Sequence, residues 1–304
     1  MKKIAILLVI LSLAILITGC DSGTTNTGTG YYKYTGPQMI EAQFINDAPI
    51  SMENAPYEQN ENIDVVVQLT NKHAEEIPAG KVRVRLTGDA AMPNFFAGSK
   101  EGTNPILSGL DPETGASIPE EVDLGPIKYT NEVLGKISKT ITGKYCYSHP
   151  VTVKANLFYT AKAEEIGTNL PSGSNPPSRV QVTAITQRPV DIREGVGSMK
   201  FQVTIANLGT GTIVPTLDDC FQYRGRREKE TLTIDAMGAY EIECEKEGEV
   251  TLLTETRSKT VDCIVSNIDP ANLGDQPSEL TMVLNNFAYE EDIAPVNIWL
   301  EGQV

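Results

Sequence analysis

The chain of 304 residues reads as an all-β protein, two tandem antiparallel β-sandwich domains behind a signal peptide and a flexible tether. Three observations predict this. Short apolar segments alternate with polar residues at period 2, the mark of a strand with one buried face, and no segment of comparable length carries a helical period. Turn residues are frequent, 25 Gly and 18 Pro, and many short one-faced strands need a second sheet to cover them. The strand pattern also occurs twice. The length suffices for two domains, each with its own core, and a hydrophobic fraction of 40% belongs to a packed chain.

Residues 1–19 have the order of a signal peptide: Lys2 and Lys3, an apolar run from Ile4 to Ile17, then small residues. At a helical rise of 1.5 Å that run spans only about 21 Å, short of the ~30 Å hydrocarbon core, so export and cleavage are expected rather than a permanent span. Ile17-Thr18-Gly19-Cys20 resembles the lipobox of prokaryotic lipoproteins. The resemblance implies that Cys20 is acylated, becomes the new N-terminus and holds the protein to a membrane. Asp21 to Gly30 contains no apolar residue, which makes residues 20–30 the lipidated Cys and a flexible tether.

Residues 31–166 form the first expected domain. Ile63, Val65, Val67 and Leu69 alternate with polar neighbours, Val66 aside, and the run closes on Asn71. Residues 179–304 form the second, where Met199, Phe201, Val203 and Ile205 repeat the pattern and close on Asn207. Val151 to Phe158 likewise parallels Leu280 to Phe287, and an internal duplication accounts for both likenesses. The Pro/Gly/Ser-rich stretch 167–178 is the expected linker, with each domain folding by itself on either side. The runs ending at Asn71 and at Asn207, above all Gln202 to Gly211, look like the immunoglobulin-like adhesion modules of bacterial and archaeal surface proteins.

Four cysteines remain besides Cys20 and allow three full pairings. Tyr240, Ile242 and Cys244 share one strand face, as do Val261, Cys263 and Val265, so a Cys244–Cys263 bridge is expected, with Cys220–Cys263 as the alternative. An intervening strand from Val250 to Leu253 would put the two about 9.5 Å apart within one sheet, so the bond is expected to cross between sheets. Cys146 and Cys220 pair between domains or stay free.

The formal charge of −15 becomes −17 once Lys2 and Lys3 leave with the leader, which argues against nucleic acid as a partner. With two histidines, His73 and His149, and no Cys-x-x-Cys pair, no metal site is expected. No cofactor is expected either, beyond weak Ca²⁺ binding by loop carboxylates such as Asp218-Asp219 or Glu290-Glu291-Asp292. His149-Pro150 beside Cys146 reads as turn chemistry, and no nucleophile elbow or zinc-protease motif is present.

The expectation is therefore a non-catalytic structural or interaction lipoprotein of the cell envelope, extracytoplasmic and membrane-anchored. A small-ligand or glycan receptor is the alternative, thinly supported by the single Trp299, and an unfamiliar hydrolase the third. One basic cluster stands out on the acidic second half: Arg224, Arg226 and Arg227, beside Gly225. If it binds, planar guanidinium donors suit the carboxylates or phosphates of an envelope protein or acidic polymer.

Overall fold

The computed structural model describes residues 32–92, 95–98, 100–222, 230–252 and 256–302. The first half contributes β1 (Ile40–Phe44), β2 (Tyr57–Glu58), β3 (Ile63–Asn71), β4 (Val82–Thr87), β5 (Phe96–Gly98), β6 (Glu101–Thr103), β7 (Glu120–Tyr129), β8 (Lys136–Tyr147) and β9 (Val151–Phe158). The second contributes β10 (Val180–Gln187), β11 (Asp191–Arg193), β12 (Val196–Asn207), β13 (Thr212–Val214), β14 (Thr231–Met237), β15 (Glu241–Cys244), β16 (Glu249–Thr251), β17 (Ser258–Ile268), β18 (Pro277–Asn285) and β19 (Ala288–Glu301). The helical pieces among the described residues are single 3₁₀ turns.

The strands build two sandwiches of the same plan. In the first, the sheet β1-β3-β7-β5 packs on β13-β19-β8-β4-β6; in the second, β10-β12-β17-β15 packs on β16-β14-β18-β9. Each reproduces the A-B-E-D and G-F-C orders of an immunoglobulin-type sandwich. The alternation foreseen from the sequence supplies the cores. Ile63, Val65, Val67 and Leu69 point inward towards Val82, Val84 and Leu86, while Met199, Phe201, Val203 and Ile205 do so in the second sandwich. Each such side chain contributes about 1.5–3 kcal/mol of apolar transfer, an upper bound because unfolded chains already bury part of this surface.

The two halves do not close on themselves, and the boundary at 167–178 does not separate the sheets. The seventh position of the first sandwich, beside β8, is filled by β19 from the end of the chain. The matching position beside β18 is filled by β9 from the first half. Each half thus gives its last strand to the other through a short crossing, residues 148–150 and 286–287. The crossings touch: Ser148 Oγ donates to the Phe287 carbonyl at 3.1 Å. Residues 31–166 alone would lack β19, and residues 179–304 alone would lack β9.

It follows that the topological counterpart of β9 is β19. The likeness between Val151–Phe158 and Leu280–Phe287 instead joins neighbours, because β9 and β18 are hydrogen-bonded partners in antiparallel register. A period-2 pattern reports that a strand has one buried face, and two strands of one sheet share that property.

The expected linker is also tied down. Lys154 N–H donates to Ser174 O at 3.0 Å and Asn156 N–H to Asn169 O at 2.8 Å, so the segment covers the open edge of β9. Asn169, Ser174 and Ser178 are buried. Proline bars the segment from a central strand, yet its carbonyls serve as well as a strand's in satisfying an edge.

Asn71 and Asn207 show why both runs end in asparagine. Asn71 Oδ1 accepts from His73 N–H at 2.8 Å while its Nδ2 donates to Glu75 O at 2.8 Å. Asn207 Oδ1 accepts from Gly209 N–H at 3.1 Å while its Nδ2 donates to Gly211 O at 3.2 Å. The offsets of +2 and +4 are the same, and both amides are buried. Each turns the chain out of its strand without leaving inner backbone groups unpaired.

Candidate functional site

The crossings bring together side chains that lie far apart in sequence. β19 enters its sheet with Tyr289, Glu291 and Ile293 facing inward. The bulge at Ala294-Pro295 then shifts the inward phase to Ile298 and Leu300. Glu291 therefore sits on an apolar face and requires a partner. Arg179, at the entry to β10, supplies it: Nη2 donates to Oε1 at 2.7 Å and Nε to Oε2 at 3.2 Å, a forked pair. Tyr145 on β8 donates its hydroxyl to Oε2 at 2.6 Å. Burial, followed by the Glu291 carboxylate, pushes the Tyr145 phenol far above its ordinary value. Beside it, Tyr289 donates to Asn207 Oδ1 at 3.2 Å and accepts from Gly211 N–H at 2.9 Å. Its own pKa is raised to about 12, chiefly by burial. Asn207 also meets Glu230, which pairs with Arg257 at 2.9 Å. The Arg179–Glu291 pair and the Tyr289–Asn207 bond fix the two sandwiches to each other, while Glu230 and Arg257 pair within the second.

This corrects the placing of Glu290-Glu291-Asp292 among loop carboxylates, because all three lie on β19. Glu290 is engaged by Lys144 Nζ at 2.7 Å and by the Phe221 N–H at 2.6 Å, and of the three only Asp292 is exposed. The inward phase Tyr289, Glu291, Ile293 was the available signal, an acid at an apolar strand position. Asp218 and Asp219 lie on a 3₁₀ turn, where Asp219 accepts from Thr216 Oγ1 at 2.6 Å.

Cys244 and Cys263 are disulfide-bonded, with Cα atoms 4.0 Å apart. The bond does not cross between sheets. β15 and β17 are adjacent and pair Cys244 directly with Cys263, because β16 belongs to the opposite sheet, hydrogen-bonded to β14. Cys146 and Cys220 form the second disulfide, which ties β8 of the first sandwich to the loop after β13. Two disulfides are the usage of an extracytoplasmic protein in an oxidising compartment.

A groove of about 780 Å³ runs over the β10-β12-β17-β15 sheet, bordered by Arg188, Lys200, Glu243, Lys246 and Asp262. Its one aromatic, Phe201, is buried, so it offers no stacking platform. Trp299 is half-buried, with Lys136 Nζ 5.7 Å from the ring centroid. Tyr32 donates to Thr152 O at 2.7 Å and Tyr34 to Asp111 O at 3.0 Å, which fastens the start of the described chain to the body. Cys20, Arg224, Arg226 and Arg227 lie outside the described residues.

The chain's two histidines meet. His73, two residues after Asn71, and His149, in the first crossing, stand edge to face with centroids 5.1 Å apart. Glu75 Oε2 lies 3.9 Å from His149 Nε2. His73 Nδ1 accepts from the Glu75 N–H at 3.1 Å. Burial pushes both imidazoles below the ordinary 6.5, and for His73 the neighbouring His149 adds to the effect. One ligand atom from each of His73, Glu75 and His149 lies within 4.8 Å of the others. Sequence reasoning missed this group, because the histidines are 76 positions apart and only the crossing joins them.

No family model and no curated protein matches the chain. Among solved structures, the partial N-terminal region of an enterococcal surface protein aligns over 85% of this chain and 86% of that one, at 10% identity. The TM-score is 0.18, which carries no argument about fold or function; the immunoglobulin-like assignment rests on the strand order.

Proposed function

We propose that the protein is a membrane-tethered lipoprotein of the cell envelope, held through an acylated Cys20 and acting by binding rather than turnover. The carrying observation is the combination of the lipobox-like Ile17-Thr18-Gly19-Cys20 with a two-disulfide immunoglobulin-like body. A tether of about ten residues reaches roughly 17 Å and sets that body just off the lipid surface. The buried ionisable pair at the seam supports a binding role, since Arg179 and Glu291 are consumed in holding the sandwiches together, and Arg257 and Glu230 are consumed in a pair within the second sandwich. Recognition is left to other groups, and Arg224, Arg226 and Arg227, outside the described residues, are candidates for an acidic partner, an envelope protein or polymer.

Cys20→Ser tests the anchor. Metabolic labelling with palmitate and membrane fractionation are expected to show a labelled membrane protein that the variant turns into an unlabelled one, released or stalled as precursor. A mature protein that fractionates with membranes equally well as the Ser variant contradicts the reading. Replacing Arg224, Arg226 and Arg227 with Ser is expected to weaken capture of the acidic partner in a salt-dependent way at unchanged Tm.

A further inference from the structure

We propose that His73, Glu75 and His149 form a binding site for a divalent transition metal of the zinc class, set on the first strand crossing. The donor set is two imidazoles and one carboxylate, which suits Zn²⁺ with water at a fourth position and does not suit Ca²⁺ or Mg²⁺. Ligands bonded at 2.0–2.1 Å in tetrahedral geometry stand roughly 3.3 Å from one another. The ligand atoms here lie within 4.8 Å, so closure by about 1.5 Å at most completes the site. Glu75 is exposed and free to make most of that movement, while His73 is held in place by its burial.

Two features favour binding. His73 is buried and His149 half-buried, so neither ring is fully hydrated before a metal arrives. The rings also approach from independent segments, the loop after β3 and the crossing after β8. One feature opposes it. His73 Nδ1 accepts the Glu75 N–H, whereas a histidine ligating through Nε2 carries its proton on Nδ1 and donates it. The Glu75 peptide must therefore turn away as the metal enters, and affinity falls below that of a site built in advance. Bound metal would join the loop following Asn71 to the crossing that delivers β9 to the second sandwich, so metal binding and the stability of the exchange are linked.

The test uses the untagged chain, because an affinity tag would supply foreign imidazoles. With only two histidines present, ¹H–¹⁵N spectra of the imidazole nitrogens assign every signal. Zn²⁺ is expected to shift both ring systems together with one saturable isotherm, to raise Tm, and to be reversed by EDTA; Ca²⁺ is expected to do none of these. Co²⁺ is expected to give the visible absorption of a tetrahedral N/O site. Glu75→Gln changes an exposed side chain and keeps the fold, and it is expected to weaken Zn²⁺ binding at least tenfold; His149→Gln is expected to abolish it. Overturning results are a Zn²⁺ response from neither ring or from one alone, or binding that is unaltered in Glu75→Gln and His149→Gln.

Discussion

Replacing Glu291 with Gln removes a charge from the seam at almost no change in volume. The carboxylate is 8% exposed and accepts from Arg179 twice and from Tyr145 once at short range. The Arg179 side chain is itself only 18% exposed. The variant leaves this guanidinium buried without its counter-charge, a loss of about 3–5 kcal/mol when one partner of a buried pair is removed. For a chain of this size each kcal/mol moves Tm by roughly 2 °C, so the lower bound predicts a fall of about 6 °C. Arg179 enters the second sandwich and Glu291 belongs to the first, so denaturant curves followed by Trp299 fluorescence and by far-ultraviolet circular dichroism are expected to shift together. The double variant Arg179→Met with Glu291→Met is expected to recover much of the loss, since neither charge is then stranded. Replacing Arg193 of the exposed Arg193–Asp191 pair is the control and should leave the curve in place. A Glu291→Gln loss under about 1 kcal/mol, the range of exposed pairs, would refute the reasoning.

Acid should weaken the fold through the histidines. Their folded-state values lie below 6.5, so their contribution is complete above the unfolded value and is lost as pH falls from about 6.5 through the depressed folded values. His149→Gln should flatten denaturation midpoints measured between pH 7 and 5, and an unchanged pH slope would contradict this. Chain-entropy arguments give about 4 kcal/mol for the Cys146–Cys220 bond across 74 residues and about 3 kcal/mol for Cys244–Cys263 across 19. The two Cys-to-Ala pair variants should rank in that order in denaturant, and reduction with alkylation should add four caps by mass. Asn71→Ala and Asn207→Ala each strand buried backbone partners and should cost a similar 1–3 kcal/mol or more; a large cost at one and none at the other would break their equivalence.

The strands were legible because each has one wet and one dry face, as Ile63 to Leu69 and Met199 to Ile205 show. The duplicated asparagines were legible as strand ends, though their shared bonding needed coordinates. Partner choice was not legible. β9 carries an inward set of Val151, Val153, Ala155 and Leu157, which would fit against β8 as readily as against β18, and nothing local in the sequence decides between them. The same gap hid the Arg179–Glu291 pair, a consequence of the exchange, and the His73–His149 encounter, which joins the ends of β3 and β8 within one sandwich. Cys244 and Cys263 were matched by strand parity, but their strands were assumed to have a neighbour between them that the fold places in the other sheet.

The strand exchange itself is tested most directly by cysteine pairs that report which strand lies beside β8. Thr140 and Asn297 face each other across β8 and β19, with Thr140 Oγ1 2.7 Å from Asn297 Oδ1. A simple hairpin between β8 and β9 would instead set Lys144 against Lys154, which here pairs with Thr281 on β18. Peptide mapping of oxidised monomer is expected to find a disulfide within one chain for Thr140→Cys with Asn297→Cys and none for Lys144→Cys with Lys154→Cys. A bond in the second pair, with none in the first, would show that each half keeps its own last strand.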